Sequence, residues 1–170
     1  MSNLIRPWED RVIEEANLFN PAFCSTALAR AVDAYTSKTN KSFPYALAFM
    51  VLPIILHKHT RENLPISIVT SMHSWLTEHP EALVNYSKRV QRLSKYTKEA
   101  LLFSLQHKQL QLEVDGGLKP GKYKPAASLV KKEWMTTEVI HCLEKAQFIG
   151  RWFAAAGTIN TIMSSWSIKP

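Results

Sequence analysis

The sequence predicts a mainly α-helical fold, a compact helical domain with a winged-helix-like helix-turn-helix and one short β-hairpin. Apolar residues recur every three or four positions along most of the chain, which is typical of helices that bury one face. Only the segment that begins at Leu110 alternates apolar and polar residues as a strand does. The 170 residues are 46% hydrophobic, enough to bury a core, and five glycines do not favour a glycine-rich β architecture.

Helix-start signals locate the elements of the N-terminal helical part, predicted to span about residues 7–93. Residues 7–10 place a proline and two acids in a first helical turn, where the helix dipole favours negative charge. Asn20-Pro21 combines an N-cap side chain with proline at the first helical position, and predicts a helix to about Ser37. Pro44 begins an almost wholly apolar helix that Pro53 should kink or end.

The winged-helix-like part is predicted over about residues 79–125. A short helix at about 67–76 precedes it, and Pro80 begins a helix that runs to about Leu93. A tight break at 94–96 then leads into a helix capped by Thr97, which ends near His107. Two helices joined by a tight break and followed by a two-stranded ribbon give the element order of a winged helix.

The hairpin and the last helices complete a single predicted domain, residues 1–170. Residues 110–114 form the first predicted strand, 115–117 (Asp-Gly-Gly) the turn, and 118–124 a short or irregular return strand. The C-terminal helices are predicted over about 136–166, with Gly157 ending the long helix and Thr158 capping the short one.

The apolar segments exclude a membrane-spanning class. The longest apolar run, residues 45–56, is shorter than the roughly 20 residues that cross a bilayer. The first eight residues lack the apolar core of a signal peptide, so we expect a cytoplasmic protein. Cys24 and Cys142 have no metal-ligand spacing and are expected to be two buried reduced thiols.

The positive charge is concentrated in one region. The net charge is +7, and the segment from Lys88 to Lys132 contains eleven Lys or Arg residues but three acids. Such a region suits phosphate or an acidic protein face, although it is also compatible with an ordinary solvated surface. Its last lysines are candidates for sequence-independent contact with a nucleic-acid backbone: Lys119, Lys122, Lys124, Lys131 and Lys132.

No motif in the sequence predicts catalysis, a metal or a cofactor. His57 and His59 would point apart on a helix and have no acid or cysteine at a zinc spacing. Gly121-Lys122 lacks the other residues of a phosphate loop, and neighbouring His141 and Cys142 diverge on a helix. We therefore expect a protein that is not an enzyme.

The predicted helix 97–107 does not suit reading of DNA bases. It contains no Arg, and Glu99 would repel phosphate. Its apolar content favours a protein contact instead, and its outer side is expected to consist of Lys98, Glu99, Ser104 and Gln106.

Several short stretches, taken together and in order, resemble the middle-component family of bacterial three-component ABC systems, which includes the small subunit of Lamassu-type antiphage systems. They extend over nearly the whole chain: LFNPAF at 18–23, FPYALAFMVLP at 43–53, His57 with Arg61, Leu64-Pro65, TKEALLF at 97–103 and WSIKP at 166–170. Ser167 stands where the family usually has glycine, which leaves open whether a tight turn follows Trp166.

The resemblance implies a helical, winged-helix adaptor that is encoded beside an SMC-like coiled-coil ATPase and a separate effector, commonly a nuclease. The adaptor would hold the effector at the ATPase heads until foreign or aberrant DNA is sensed. The resemblance supplies no catalytic residues.

Candidate protein-interface residues lie near the two ends of the chain. Trp8 and Arg11 belong to the amphipathic N-terminal helix, whereas Trp166 and Lys169 belong to the terminal segment. Tryptophans are enriched at interface centres, but Trp8 and Trp166 fit a core equally well, and Trp75 is expected in the core. Two functions remain open at this point: an adaptor of an SMC-like ATPase complex, or a free-standing winged-helix DNA-binding regulator.

Overall fold

The structure, a computed structural model, describes residues 5–124 and 135–169 and is mainly helical within them, as predicted. Its eight α-helices are α1 Ile13–Leu18, α2 Pro21–Thr39, α3 Tyr45–Ile55, α4 Lys58–Asn63, α5 Met72–Glu78, α6 Tyr86–Gln106, α7 Thr137–Ala155 and α8 Ile159–Ser165. The strands are β1 Leu110–Leu112 and β2 Leu118–Pro120, and 3-10 turns occupy Trp8–Asp10 and Pro80–Leu83.

Side-chain caps fix the helix starts that the sequence signals. The Asn20 side chain accepts hydrogen bonds from the backbone N–H groups of Ala22 and Phe23, at 2.9 and 3.3 Å. Thr136 and Thr158 cap α7 and α8 in the same way. Each cap satisfies an N–H group that has no partner within its own helix, so these three boundaries follow from local chemistry.

The closest helix packing joins α2 and α7, the two 19-residue helices. A Cβ placed on Gly150 would overlap the backbone carbonyl of Ala31, so α7 can approach α2 this closely only with glycine at 150. Ala27, Ala31 and Ala146 are fully buried. Small residues on both helices thus bring the two backbones together and fix the centre of the core.

An aromatic cluster forms another part of the core. Trp75 packs edge-to-face on Trp152 with ring centroids 5.6 Å apart, and Tyr86 lies 4.6 Å from Trp166. The indole N–H of Trp75 donates to the carbonyl of Asn63, and that of Trp152 to the carbonyl of Thr70. The prediction that Trp75 belongs to the core is confirmed.

The tight turn after Trp166 forms without glycine. Ser167 adopts the left-handed conformation, with φ of 56°, and Ile168 N–H donates to the carbonyl of Met163 at 2.9 Å. These features satisfy the last carbonyls of α8 and direct Ile168 back toward the core.

The predicted break at residues 94–96 is wrong, because α6 runs uninterrupted from Tyr86 to Gln106. Tyr96 and Thr97 are buried there, and the Thr97 hydroxyl donates to the carbonyl of Leu93 instead of capping a new helix. Burial of this stretch outweighs the local preference of Ser and Thr for helix ends. The helix-turn-helix expected at this point is therefore one helix.

The predicted hairpin is confirmed. Gln111 pairs with Lys119 in an antiparallel register, and residues 113–117 form the turn. Leu118 also exchanges two backbone hydrogen bonds with Phe43, at 2.7 and 2.8 Å. The hairpin is thereby fixed to the loop between α2 and α3.

Three further boundaries differ from the sequence prediction. The helix expected from Pro80 to about Leu93 is a 3-10 turn at Pro80–Leu83, and α6 begins only at Tyr86. The N-terminal helix is divided into the 3-10 turn Trp8–Asp10 and α1, because Arg11 and Val12 adopt extended backbone angles. The helix expected from about residue 67 begins at Met72, where the Ser71 side chain caps it.

We predict that Gly150→Ala lowers the free energy of unfolding by about 2 kcal/mol, because the added methyl group must push α7 away from α2. At an unconstrained helical site the same change would stabilise the protein. Denaturant unfolding measures the difference. Arg151→Ala, on the exposed side of α7, is the control and should change stability by less than about 0.5 kcal/mol. A Gly150→Ala protein as stable as the native one would contradict the close approach.

Candidate protein interface

The N-terminal segment is fastened to α6 by a bidentate ion pair. Nη1 of Arg11 lies 3.0 Å from Oε2 of Glu99, and Nη2 lies 2.5 Å from Oε1. Nε of Arg11 donates to the carbonyl of Arg6 at 2.9 Å. Hydrogen bonding to Glu99 raises the pKa of Arg11 further above its usual value, so the guanidinium stays charged although only 1% of its side chain is exposed.

An aromatic contact adds to this fastening. The rings of Phe19 and Tyr96 stack with centroids 4.0 Å apart, and the Tyr96 hydroxyl donates to the Glu15 carboxylate at 2.5 Å. Burial, together with this hydrogen bond, raises the pKa of Tyr96 to about 12 and keeps the hydroxyl protonated. Both ends of α1 are thus tied to α6.

The outer side of the same segment exposes large apolar side chains. Trp8, Val12 and Ile13 are 45%, 58% and 70% exposed, and we call these three residues the N-terminal surface. The Arg11 guanidinium lies 5.5 Å from the centroid of the Trp8 ring, so the ion pair with Glu99 also orients the indole. A fixed, exposed tryptophan beside aliphatic side chains has the composition of a protein-interface centre.

A second exposed apolar site lies between α4 and α5. Ile66 and Val69 are 100% and 89% exposed, and we call them the loop surface. The indole N–H of Trp152, near the end of α7, donates to the carbonyl of Thr70 in this loop. The loop surface therefore lies toward the C-terminal end of α7, whereas α1 borders the N-terminal half of α7 near Val139 and Leu143.

A mainly apolar cavity of about 450 Å³ opens where α1, α2 and the start of α7 meet. Arg61 lies in its wall, donating to the carbonyl of Ile55 at 2.7 Å and to the Glu138 carboxylate at 2.8 Å. Cys142, also in the wall, is buried, and burial raises the pKa of its thiol. A protonated thiol is a poor nucleophile.

Comparison with known families matches residues 8–170 to the family described as ABC-three component (ABC-3C) system Middle Component 3. The chain belongs to this family. The match confirms the resemblance to middle components, and it contains the whole of the N-terminal surface. Comparisons with curated proteins and with solved structures found no match.

Two of the residues predicted for the interface of this Middle Component 3 protein are buried. Trp166 has no exposed surface and packs against Tyr86 and Trp75, so its indole belongs to the core. Arg11 faces Glu99 on α6 rather than a partner. Each side chain finds its partners on elements distant in the chain, so neither is free to form an interface.

The other predicted interface residues lie at the surface. Lys98 and Gln106 are exposed on α6, and Lys169 is exposed after α8. Ser104, which was expected on the outer side of the helix, is buried instead, and its hydroxyl donates to the carbonyl of Ala100. Sequence reasoning missed Leu102, which lies between Lys98 and Gln106 on the same helix and is largely exposed. Leu102 is one of several apolar residues in that helix, and only the packing of α6 shows that it faces outward.

Two of the five predicted backbone-binding lysines, Lys119 and Lys124, form ion pairs. Nζ of Lys119 lies 3.1 Å from the Glu113 carboxylate, and Nζ of Lys124 lies 3.2 Å from Asp33. Lys122 is exposed, with its Nζ 5.4 Å from the centroid of the Tyr123 ring. Lys131 and Lys132 lie outside the residues that the structure describes.

In the part of the chain that the structure describes, His57 and Cys24 have structural roles. Nδ1 of His57 accepts a hydrogen bond from Thr60 N–H at the start of α4, and burial lowers the pKa of His57, which favours the neutral accepting form. Burial raises the pKa of Cys24 to about 12.

Across residues 5–124 and 135–169, no group of three or more His, Cys, Asp or Glu could hold a metal ion, and no helix is long and apolar enough to cross a membrane.

We predict that Arg11→Met lowers the free energy of unfolding by about 2 kcal/mol, because it removes charged hydrogen bonds to Glu99. In a double-mutant cycle with Glu99→Gln, the two effects should couple by about 1 kcal/mol. Lys98→Met, next to Glu99 and exposed, is the control and should show little coupling with Glu99→Gln. Strictly additive effects of Arg11→Met and Glu99→Gln would argue against the ion pair as the fastening.

Proposed function

We propose that this protein is a non-catalytic adaptor that joins the ABC ATPase of its system to an effector, and that the partners are an SMC-like coiled-coil ATPase and a nuclease in the cytoplasm. The observation that carries the proposal is the N-terminal surface, three exposed apolar side chains on a segment held rigidly by Arg11 and Glu99. Apolar side chains fixed before binding lose little conformational entropy on association, which favours a stable complex.

An adaptor needs two separate contact surfaces, and the loop surface supplies the second. The N-terminal surface belongs to the segment that borders α7 near Val139, whereas the loop surface is held at Trp152. Thirteen residues of helix separate these two positions, which corresponds to about 20 Å along α7. Two partners can therefore bind without competing for one patch.

The chemistry of the interior agrees with a binding role. Both cysteines are buried with raised pKa values, and His57 is occupied as a helix cap. The large cavity is walled mainly by apolar side chains, and its arginine is already paired with Glu138. These groups stabilise the fold that presents the two surfaces.

The test is co-expression of the chain with the ATPase and effector encoded beside it, followed by size-exclusion chromatography. We expect a complex of all three proteins. Trp8→Ala with Ile13→Ser should release one partner, and Ile66→Ser with Val69→Ser should release the other, because each pair removes the apolar centre of one surface.

Val114→Ser at the exposed tip of the hairpin is the matched control, an apolar-to-polar change of a residue that belongs to neither surface. It should leave the complex intact. Independent elution of the three native proteins, with and without DNA, would refute the adaptor. Retention of both partners by both double variants would refute the assignment of the surfaces.

A further inference from the structure

A basic face runs along the outer side of α6. Lys88, Arg92, Lys95 and Lys98 follow one another at intervals of four, three and three residues. Because each helical residue turns by about 100°, these side chains share about one third of the helix circumference and extend over about 15 Å of its axis. We call these four residues the α6 face.

No acid among the described residues neutralises the α6 face. The only acid of α6 is Glu99, and Arg11 occupies both oxygens of its carboxylate. In the part of the chain that the structure describes, Lys88, Arg92 and Lys98 form no ion pair, and Nζ of Lys95 lies 4.8 Å from the centroid of the Tyr96 ring. Positive charge therefore accumulates along this side of the helix.

Neighbouring basic residues differ in this respect. Arg89 turns inward and donates to the carbonyls of Val84 and Ala82. Lys119 and Lys124 near the hairpin are paired with acids. Within the basic region of the sequence, the α6 face is thus the part where several cations line up without an acidic partner among the described residues.

We propose that the α6 face binds the phosphate backbone of double-stranded DNA without reading its sequence. About nine phosphate charges lie along 15 Å of duplex, enough to engage all four side chains. An exposed helix can lie along the wide major groove of B-DNA, whereas the corresponding groove of an RNA duplex is too narrow to admit it. The inference does not depend on the adaptor function, since it uses neither apolar surface.

The composition of the α6 face favours phosphate over an acidic protein. Between residues 88 and 98, every exposed position of α6 is Lys, Arg or Gln, and Lys95 is half-buried. Protein interfaces are depleted in lysine and place apolar or aromatic side chains at their centres. Lysine is a compact point charge that attracts phosphate without specifying a base.

The test is fluorescence anisotropy of the full chain with two labelled DNA duplexes of unrelated sequence, each of about 20 base pairs, at about 50 to 200 mM salt. We expect equal affinity for both duplexes. The slope of log affinity against log salt should be roughly −3 to −4, because about four phosphates are neutralised. A native chain that binds neither duplex at the lowest salt overturns the proposal.

The triple variant Lys88→Gln, Arg92→Gln and Lys98→Gln should bind at least about tenfold more weakly, with a salt slope smaller by roughly three. The matched control is the triple variant Lys119→Gln, Lys122→Gln and Lys124→Gln, which removes the same amount of positive charge. Its affinity for the duplex should be within about twofold of that of the native chain, because two of these lysines are already paired with acids. Equal losses in both variants, or a larger loss in the control, overturn the proposal. Thermal melting, monitored by circular dichroism, shows whether each variant is folded. If the triple variant is unfolded, the single variant Lys88→Gln replaces it, and its slope of log affinity against log salt should be smaller by about one.

Poly-glutamate at equal anionic charge tests the acidic-protein alternative. We expect poly-glutamate to displace the labelled duplex from the protein less efficiently than unlabelled duplex does. Displacement that is equally efficient with both competitors would overturn the assignment to DNA and favour an acidic protein face.

Discussion

The ion pair between Arg11 and Glu99 is the constraint on which the surface properties of this protein depend. It holds the N-terminal segment against α6 and, through the contact of Arg11 with the Trp8 ring, directs the indole outward. It also occupies the only carboxylate of α6, so that the basic side chains of that helix are left without a neutralising acid on their own element. The pair thus affects two surfaces. It fixes the apolar side chains of the N-terminal surface, and it occupies the one carboxylate of α6 that could pair with the basic side chains of that helix.

The parts of the fold that the sequence predicts well are those that depend on neighbouring residues. Asn20 and Thr136 cap helices within three residues of themselves, and Asp115-Gly116-Gly117 forms its turn locally. The break expected at residues 94–96 fails because Tyr96 stacks on Phe19, which lies far away in the chain, and this packing makes an uninterrupted helix more stable. A sequence pattern registers the preference of Ser and Thr for helix ends, but not the burial that overrides it.

The candidate sites were harder to predict, because each depends on contacts between residues far apart in the chain. Trp8 and Trp166 look alike as isolated tryptophans, yet one is half exposed and the other is buried against Tyr86. The concentration of positive charge was evident from composition, but its location was not. Lys124 is neutralised by Asp33, 91 residues away. Only the tertiary structure shows that several cations without an acidic partner among the described residues lie along α6.

Hydrogen–deuterium exchange at the N-terminal segment tests most directly whether the Arg11–Glu99 pair organises these surfaces. The amides of Ala16 and Phe19 donate to the carbonyls of Val12 and Glu15, and should exchange slowly in the native chain. In Arg11→Met they should exchange much faster, while amides in the middle of α2 and α7 keep their protection. Rapid exchange of Ala16 and Phe19 in the native chain, or exchange unaffected by Arg11→Met, would contradict this account.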